Sequence, residues 1–105
     1  MKRACLRPQA QADLVDAARH YASQGSVELA ERMFDAAIAA LEPLERNPKM
    51  GSPRLGQLCE IPGLRSWRVI DVPMQWLCFE AEDHLDVVRL LGDRQDIVAV
   101  LIADA

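Results

Sequence analysis

The sequence predicts a two-layer α/β (α+β) fold, and three observations carry this prediction. Two segments with helical spacing of apolar residues occupy the first half of the chain, joined by Gly25-Ser26. Three apolar, strand-like runs follow one another closely in the second half. A short alternating stretch precedes the first helix. We therefore expect a first strand, a helical hairpin, a three-stranded antiparallel meander and a short C-terminal helix, in a single domain spanning residues 1–105.

Local signals define the helical hairpin. Pro8 suits a first helical turn, because the missing N–H of proline costs nothing there. Gly25 is typical of a helix end, and Ser26 of the N-cap of a second helix. The apolar stripe of the second helix consists of Ala30, Phe34, Ala37, Leu41 and Leu44. Pro43 is expected to kink or fray the end of this helix.

The second half of the sequence predicts strands that follow a long loop. Residues 47–63 are rich in proline and glycine and predict a connecting loop. The predicted strands are Leu64–Asp71, Met74–Ala81 and Leu85–Leu91. Strict alternation places Val88 and Leu90 on the face opposite Leu85 and Val87. The segment from Ile97 to Ile102 forms either a terminal helix, with Asp93 as N-cap, or a further strand.

Composition and charge limit the class of protein. Half of the residues are hydrophobic and 27% are charged, the profile of a globular protein. The apolar run from Ile97 to Ala103 is far shorter than the roughly 20 residues of a membrane helix, and no signal peptide is evident. The net charge of −4 comes wholly from residues 63–105, which argues against direct nucleic-acid binding. We expect a cytoplasmic protein without membrane contact.

A set of residues along nearly the whole chain forms a specific pattern. In the first half they are Ala12-Asp13-Leu14, Tyr21, Ala30, Phe34, Leu41, Pro48, Gly51 and Pro53-Arg54. In the second half they are Gly63-Leu64-Arg65, Val88-Arg89-Leu90-Leu91, Arg94 and Asp96-Ile97. In their order and spacing, these residues resemble the ParE-type toxins of the RelE/ParE superfamily. The resemblance implies a RelE-like fold with the first strand beside the last. It also implies the toxin of a bacterial type II toxin–antitoxin pair, neutralised by a ParD-like antitoxin.

The resemblance leaves two activities to consider. ParE members trap DNA gyrase by binding, whereas RelE members cut mRNA on the ribosome. RNA cleavage needs an acid, a base and cations at the phosphate. The candidate cations are Arg65, Arg68, Arg89 and Arg94, but no lysine follows Lys49 and the only tyrosine is Tyr21. We expect a non-enzymatic gyrase inhibitor, with an mRNA endonuclease or an inactive antitoxin-binding remnant as alternatives.

No catalytic residue, cofactor or metal is expected. The three cysteines are widely spaced and indicate small apolar side chains rather than disulfides. Asp16 and His20 share a helix face, but no further ligand accompanies them.

Binding residues are expected on two surfaces. The target-binding candidates are Arg65, Trp67, Trp76, Arg89 and Arg94. In the alternative interpretation, Arg89 pairs with Asp93 or Asp96 and the tryptophans belong to the core. The antitoxin-binding candidates are Leu14, Tyr21, Met33 and Phe34. An antitoxin is expected to wrap the helical hairpin and to extend a free sheet edge.

Overall fold

The computed structural model describes the backbone of residues 1–104 and the side chains of residues 1–103. Its helices are α1 (Pro8–Gln24), α2 (Val27–Ala39), α3 (Leu41–Arg46), α4 (Arg54–Leu58) and α5 (Ile97–Asp104), with a 3-10 turn at Pro48–Met50. Its strands are β1 (Arg3–Leu6), β2 (Arg65–Arg68), β3 (Met74–Glu80) and β4 (His84–Gly92). Within the described residues, no helix is long and apolar enough to cross a membrane.

The four strands form one sheet in the order β1-β4-β3-β2. β2, β3 and β4 form the predicted antiparallel meander. β1 lies parallel to β4, with Leu6 opposite Val87. A parallel neighbour requires a long connection. The chain crosses the sheet from β1 to β2 through the helical hairpin and returns to β4 through β3. The predicted fold class, with the first strand beside the last, is therefore confirmed.

Two apolar clusters lie on opposite faces of the sheet. The larger lies under the helical hairpin and includes Leu14, Met33, Ala37, Trp76, Val87 and Leu90. The smaller lies under α5 and includes Leu64, Leu77, Leu91 and Leu101, with Phe79 and Ile97 packed against it. The C-terminal segment is thus a helix, and it covers the sheet face that the hairpin leaves open.

A β-bulge at Val88 breaks the alternation of β4. Leu77 pairs with Arg89, whereas the next residue, Cys78, pairs with Val87. Val88 is therefore the extra residue, and beyond it the side chains change faces. Leu90 joins Leu85 and Val87 in the larger cluster, so the predicted opposition of Leu90 to those residues is wrong.

The second helix stops earlier than its apolar stripe. α2 ends at Ala39 and α3 begins at Leu41, because Pro43 has no N–H to donate to the carbonyl of Ala39. Two tryptophans bind carbonyls around this break. Trp76 Nε1 donates to Ala37 O at 2.8 Å, and Trp67 Nε1 donates to Ala40 O at 2.7 Å.

Two local predictions need correction. The loop predicted for residues 47–63 contains the 3-10 turn and α4. The N-cap of α5 is Asp96, whose Oδ1 accepts the N–H of Ala99 at 3.1 Å. Asp93, the predicted cap, instead accepts two hydrogen bonds from the guanidinium of Arg68, at 3.1 and 2.5 Å.

Candidate protein-binding surfaces

A mostly buried ion pair joins α1 to β4. Arg89 Nε donates to Asp13 Oδ2 at 2.7 Å, and Arg89 Nη2 donates to Asp13 Oδ1 at 3.2 Å. The two side chains are only 13% and 11% exposed. Asp13 Oδ2 also accepts the backbone N–H of Leu90 at 3.0 Å. β1 pairs with β4 only as far as Val87, and Asp13 binds β4 further along, at Leu90.

This ion pair changes the interpretation of Arg89. The expectation that Arg89 pairs with Asp93 or Asp96 is wrong, because Asp13 of the packed helix reaches it instead. An arginine enclosed by such a bidentate contact presents little surface to a target. Arg89 is therefore a structural anchor between the two layers of the fold.

Both tryptophan candidates serve the fold. Trp76 is 0% exposed and lies in the larger cluster. Trp67 is half-buried, packs against the same cluster and binds the carbonyl of Ala40 through its indole N–H. The position of Trp76 leaves no surface for a target, so core packing replaces its predicted binding role.

The two remaining target-binding candidates lie at opposite ends of the sheet. Arg65 begins β2, level with Cys78 of β3, and its Nη1 donates to Gly51 O at 2.7 Å and Lys49 O at 3.2 Å. Arg94 follows the other end of the sheet, after β4, and is exposed. The structure therefore does not gather the five predicted target-binding residues into one patch.

Arg94 instead lines a groove between α1, the α1–α2 turn and the end of β4. The groove has a volume of about 660 Å³, and its lining includes Asp16, His20, Tyr21, Leu29 and Met74. It brings together Arg94, predicted to bind the target, and Tyr21, predicted to bind the antitoxin. The binding roles of these two accessible residues stay predictions.

The antitoxin-binding candidates divide between core and surface. Leu14 is 5% exposed and Met33 is 2% exposed, and both pack beneath the hairpin. Their burial replaces the predicted contact with a partner. Phe34 is 39% exposed, and Val27 and Ile38 on the same helix are also exposed. The spacing of seven and four residues places these three side chains along one outward stripe of α2.

The sequence carried a signal for this stripe. Val27, Phe34 and Ile38 recur at helical spacing, and so do Ala30, Met33 and Ala37 on the buried side. A helix with apolar residues on both sides has a second surface to cover. Sequence reasoning joined Phe34 to Ala30 and Ala37 in a single core-facing stripe, and so it assigned Phe34 to the same side of the helix as the buried residues.

Charges shape the titration of several surface groups. The hydrogen bond from Arg7 holds the pKa of Asp86 below its usual range, and the hydrogen bond from Lys2 does the same for Glu80. Burial raises the pKa of the Cys78 thiol to about 11, so this thiol is protonated and unreactive at neutral pH. The side chains of residues 1–103 contain no group of three His, Cys, Asp or Glu residues that could hold a metal ion.

Comparison with known proteins agrees with this architecture. A model of the ParE toxin of the type II toxin-antitoxin system, parDE, matches residues 5–102. The chain belongs to this family. A structure titled "Chromosomal ParDE TA system from P. aeruginosa" has a TM-score of 0.76 and 20% sequence identity, covering 88% of this chain and 96% of that chain. No curated protein gave a significant match.

The family match confirms the resemblance predicted from the residues. It covers the hairpin, β2, β3, β4, the last two residues of β1 and most of α5, so it includes every element that carries the ion pair, the groove and the α2 stripe. The solved ParDE structure shares the fold of this ParE-type toxin at low sequence identity. The surfaces described above are therefore surfaces of a ParE-type toxin.

Proposed function

We propose that this ParE-type toxin inhibits DNA gyrase by protein–protein contact and is held inactive by a ParD-like antitoxin. The observation that carries the proposal is the ParE family match over residues 5–102. A toxin that acts by binding needs accessible surface rather than a catalytic constellation. The exposed stripe of α2 and the groove at the end of β4 offer such surface.

The placement of the arginines supports binding over RNA cleavage. Arg89 is held by Asp13 and Arg68 by Asp93, and Arg65 donates to backbone carbonyls. A nuclease would have to direct such cations at one phosphate, together with a general acid and base. Arg65 and Arg94 instead lie at opposite ends of the sheet. No described feature favours the RelE-like endonuclease.

The antitoxin is proposed to cover two surfaces. The first is the outward stripe of Val27, Phe34 and Ile38, which suits the apolar face of a partner helix. The second is the outer edge of β2. Ser66 exchanges two backbone hydrogen bonds with Ser52, at 2.8 and 2.9 Å, which closes the beginning of this edge. Two residues further on, the backbone of Arg68 also points away from β3, where an added strand would pair with it.

Induction of the toxin in bacterial cells, alone and with its antitoxin, tests the proposal. We expect induction alone to arrest growth and to produce DNA breaks, while ribosome-bound mRNA stays intact. Co-expression of an antitoxin encoded next to the toxin gene should restore growth. Cleaved mRNA would support the endonuclease instead, and unaffected growth would identify an inactive remnant. Either of these results contradicts the proposal.

A further inference from the structure

Positive charge is concentrated in one segment of an otherwise acidic chain. Residues 46–68 contain five cationic residues and a single acidic residue, Glu60, although the whole chain has a net charge of −4. The five are Arg46, Lys49, Arg54, Arg65 and Arg68. The segment runs from the end of α3 to the end of β2, along one border of the sheet. This border contrasts with the acidic remainder of the surface.

Arg65 fixes the backbone of this segment. Its guanidinium donates to the carbonyls of Lys49 and Gly51, at 3.2 and 2.7 Å. Gly51 is buried, and a Cβ at this position would come within 3.0 Å of the Cβ of Arg65. The missing side chain lets the loop lie directly against β2. Lys49 is therefore held beside the beginning of β2, on ordered backbone.

Lys2 completes a cluster of cations around Glu80. Lys2 Nζ donates to Glu80 Oε2 at 2.9 Å and to Ala81 O at 2.6 Å. The Lys2 backbone N–H donates to Glu45 O at 2.9 Å, so α3 supports this end of β1. The hydrogen bond from Lys2, followed by the positive charges of Lys2, Lys49 and Arg65, lowers the pKa of Glu80. Lys2 thus pairs with Glu80, and Arg65 lies opposite Cys78, two residues before Glu80 on β3.

Two cations of residues 46–68, Lys49 and Arg54, differ from the others in this segment. Arg46 pairs with Glu42, and Arg68 pairs with Asp93. Lys49 and Arg54 are exposed, and their side chains have no hydrogen bond or ion pair with the described residues. Met50, directly after Lys49, is 49% exposed. The surface therefore combines two exposed cations that form no ion pair with the described residues and an accessible apolar side chain.

We propose that Lys2, Lys49, Arg54 and Arg65 form a cationic face that docks an acidic segment of the toxin's target protein. This inference rests on the proposed function, in which that target is DNA gyrase. Positive charge on a rigid frame attracts an acidic surface and sets its orientation. Met50 adds a contact for an apolar side chain among the carboxylates of the partner.

The surroundings of the cationic face favour a protein partner over a nucleic acid. Proteins that bind single strands combine basic grooves with aromatic rings on which the bases stack. Trp76 lies in the core and Trp67 packs against it. Binding to duplex DNA depends on many phosphate contacts, whereas this chain has a net negative charge. An acidic protein segment matches the small number of cations here.

Charge reversal with a matched control tests the proposal. The variant is Lys49→Glu/Arg54→Glu, and the control is Arg19→Glu/Arg32→Glu on the helical hairpin. All four side chains are exposed, and both variants change the net charge equally. Affinity for purified gyrase is measured without DNA, at low and high salt, by a method such as biolayer interferometry. A duplex DNA and a single-stranded RNA are measured in parallel, and circular dichroism verifies folding.

We expect the variant to lose about tenfold in gyrase affinity relative to the control, since each exposed charge contributes modestly. The salt dependence of binding should also weaken in the variant. If the variant and the control bind gyrase with equal affinity, the proposed role of the cationic face is refuted, while the proposed function stays intact. Wild-type toxin that does not bind gyrase at all would refute the proposed function. Tight binding to DNA or RNA, abolished by the variant alone, would assign the face to nucleic acid instead.

Discussion

Asp13 and Arg89 are 76 positions apart in the sequence, yet they form a bidentate ion pair between α1 and β4. Asp13 also accepts the N–H of Leu90. One carboxylate thus satisfies both an arginine with little access to water and a backbone donor of the strand. This contact ties the helical layer to the part of β4 that β1 does not reach.

The ion pair predicts a large loss of stability when only one partner is removed. Asp13→Ala should lower the free energy of unfolding by about 3 kcal/mol, because it removes the bidentate acceptor of the mostly buried Arg89 guanidinium and the acceptor of the Leu90 N–H. Asp13→Ala/Arg89→Leu should recover much of this loss, because the mostly buried guanidinium is then removed together with its acceptor. Urea unfolding measures both variants. Asp16→Ala, at an exposed position on the same helix, is the control and should change stability by less than about 0.5 kcal/mol.

Equal losses for the single and double variants would contradict this account. They would mean that Arg89 tolerates its position without Asp13, and that the cost arises elsewhere in α1.

The tryptophan contacts predict different roles for two similar residues. Trp76→Phe should lower the free energy of unfolding by about 2–3 kcal/mol, because it removes volume from the core and deprives Ala37 O of its indole donor. Trp67→Phe should lower the free energy of unfolding by about 1 kcal/mol, since Trp67 is half-buried and water can replace its hydrogen bond to Ala40 O. Guanidinium unfolding, followed by circular dichroism, gives both values. A larger loss of stability for Trp67→Phe than for Trp76→Phe would contradict the assignment of Trp76 to the core and of Trp67 to a half-buried position.

The two sides of α2 predict separable effects on stability and on antitoxin binding. Met33→Ala, on the buried side, should lower the free energy of unfolding by roughly 2–4 kcal/mol. Phe34→Ser/Ile38→Ser, on the exposed side, should leave unfolding nearly unchanged but weaken antitoxin binding at least about thirtyfold, as loss of a binding hot spot does. Calorimetric titration with the antitoxin measures the second effect. Unchanged affinity in the double variant would remove the stripe from the proposed interface.

The ion pair between Arg7 and Asp86 predicts a pH-dependent contribution to stability. The pKa of Asp86 is lowered in the folded protein, so its contribution is present above the unfolded pKa of about 4 and is lost as pH falls through the folded pKa. The Arg7 side chain is 51% exposed, and solvent screening limits the contribution to less than about 1 kcal/mol. Asp86→Asn should therefore be less stable than wild type at pH 7, and the difference in stability should shrink as the pH falls below about 4. Urea unfolding over this pH range tests the prediction, and a difference that does not vary with pH would refute it.

The elements that the sequence predicted well are those set by local chemistry. Pro8 and Gly25 define the limits of α1, and the side chain of Ser26 caps α2 by accepting the N–H of Leu29 at 3.1 Å. The alternation of Trp76 and Leu77 assigned these neighbours to opposite faces of β3, as the two clusters confirm. Each of these features depends on residues close together in the chain.

The elements that the sequence did not predict depend on distant contacts. The partner of Arg89 was sought among nearby acids, whereas Asp13 reaches it through the packing of α1 on β4. The bulge at Val88 moves Leu90 to the hairpin side, and nothing in the composition of β4 marks it. The candidate site was therefore only partly predictable, since Tyr21, Phe34 and Arg94 are accessible whereas Leu14, Met33 and Trp76 are enclosed.

Inhibition of gyrase by the purified toxin tests the central claim most directly. Toxin is added to gyrase, ATP and relaxed plasmid, and supercoiled product is measured on a gel with and without the ParD-like antitoxin. The account predicts loss of supercoiling that depends on toxin concentration, and its restoration by antitoxin. Undiminished supercoiling by folded toxin in large excess over gyrase would contradict it.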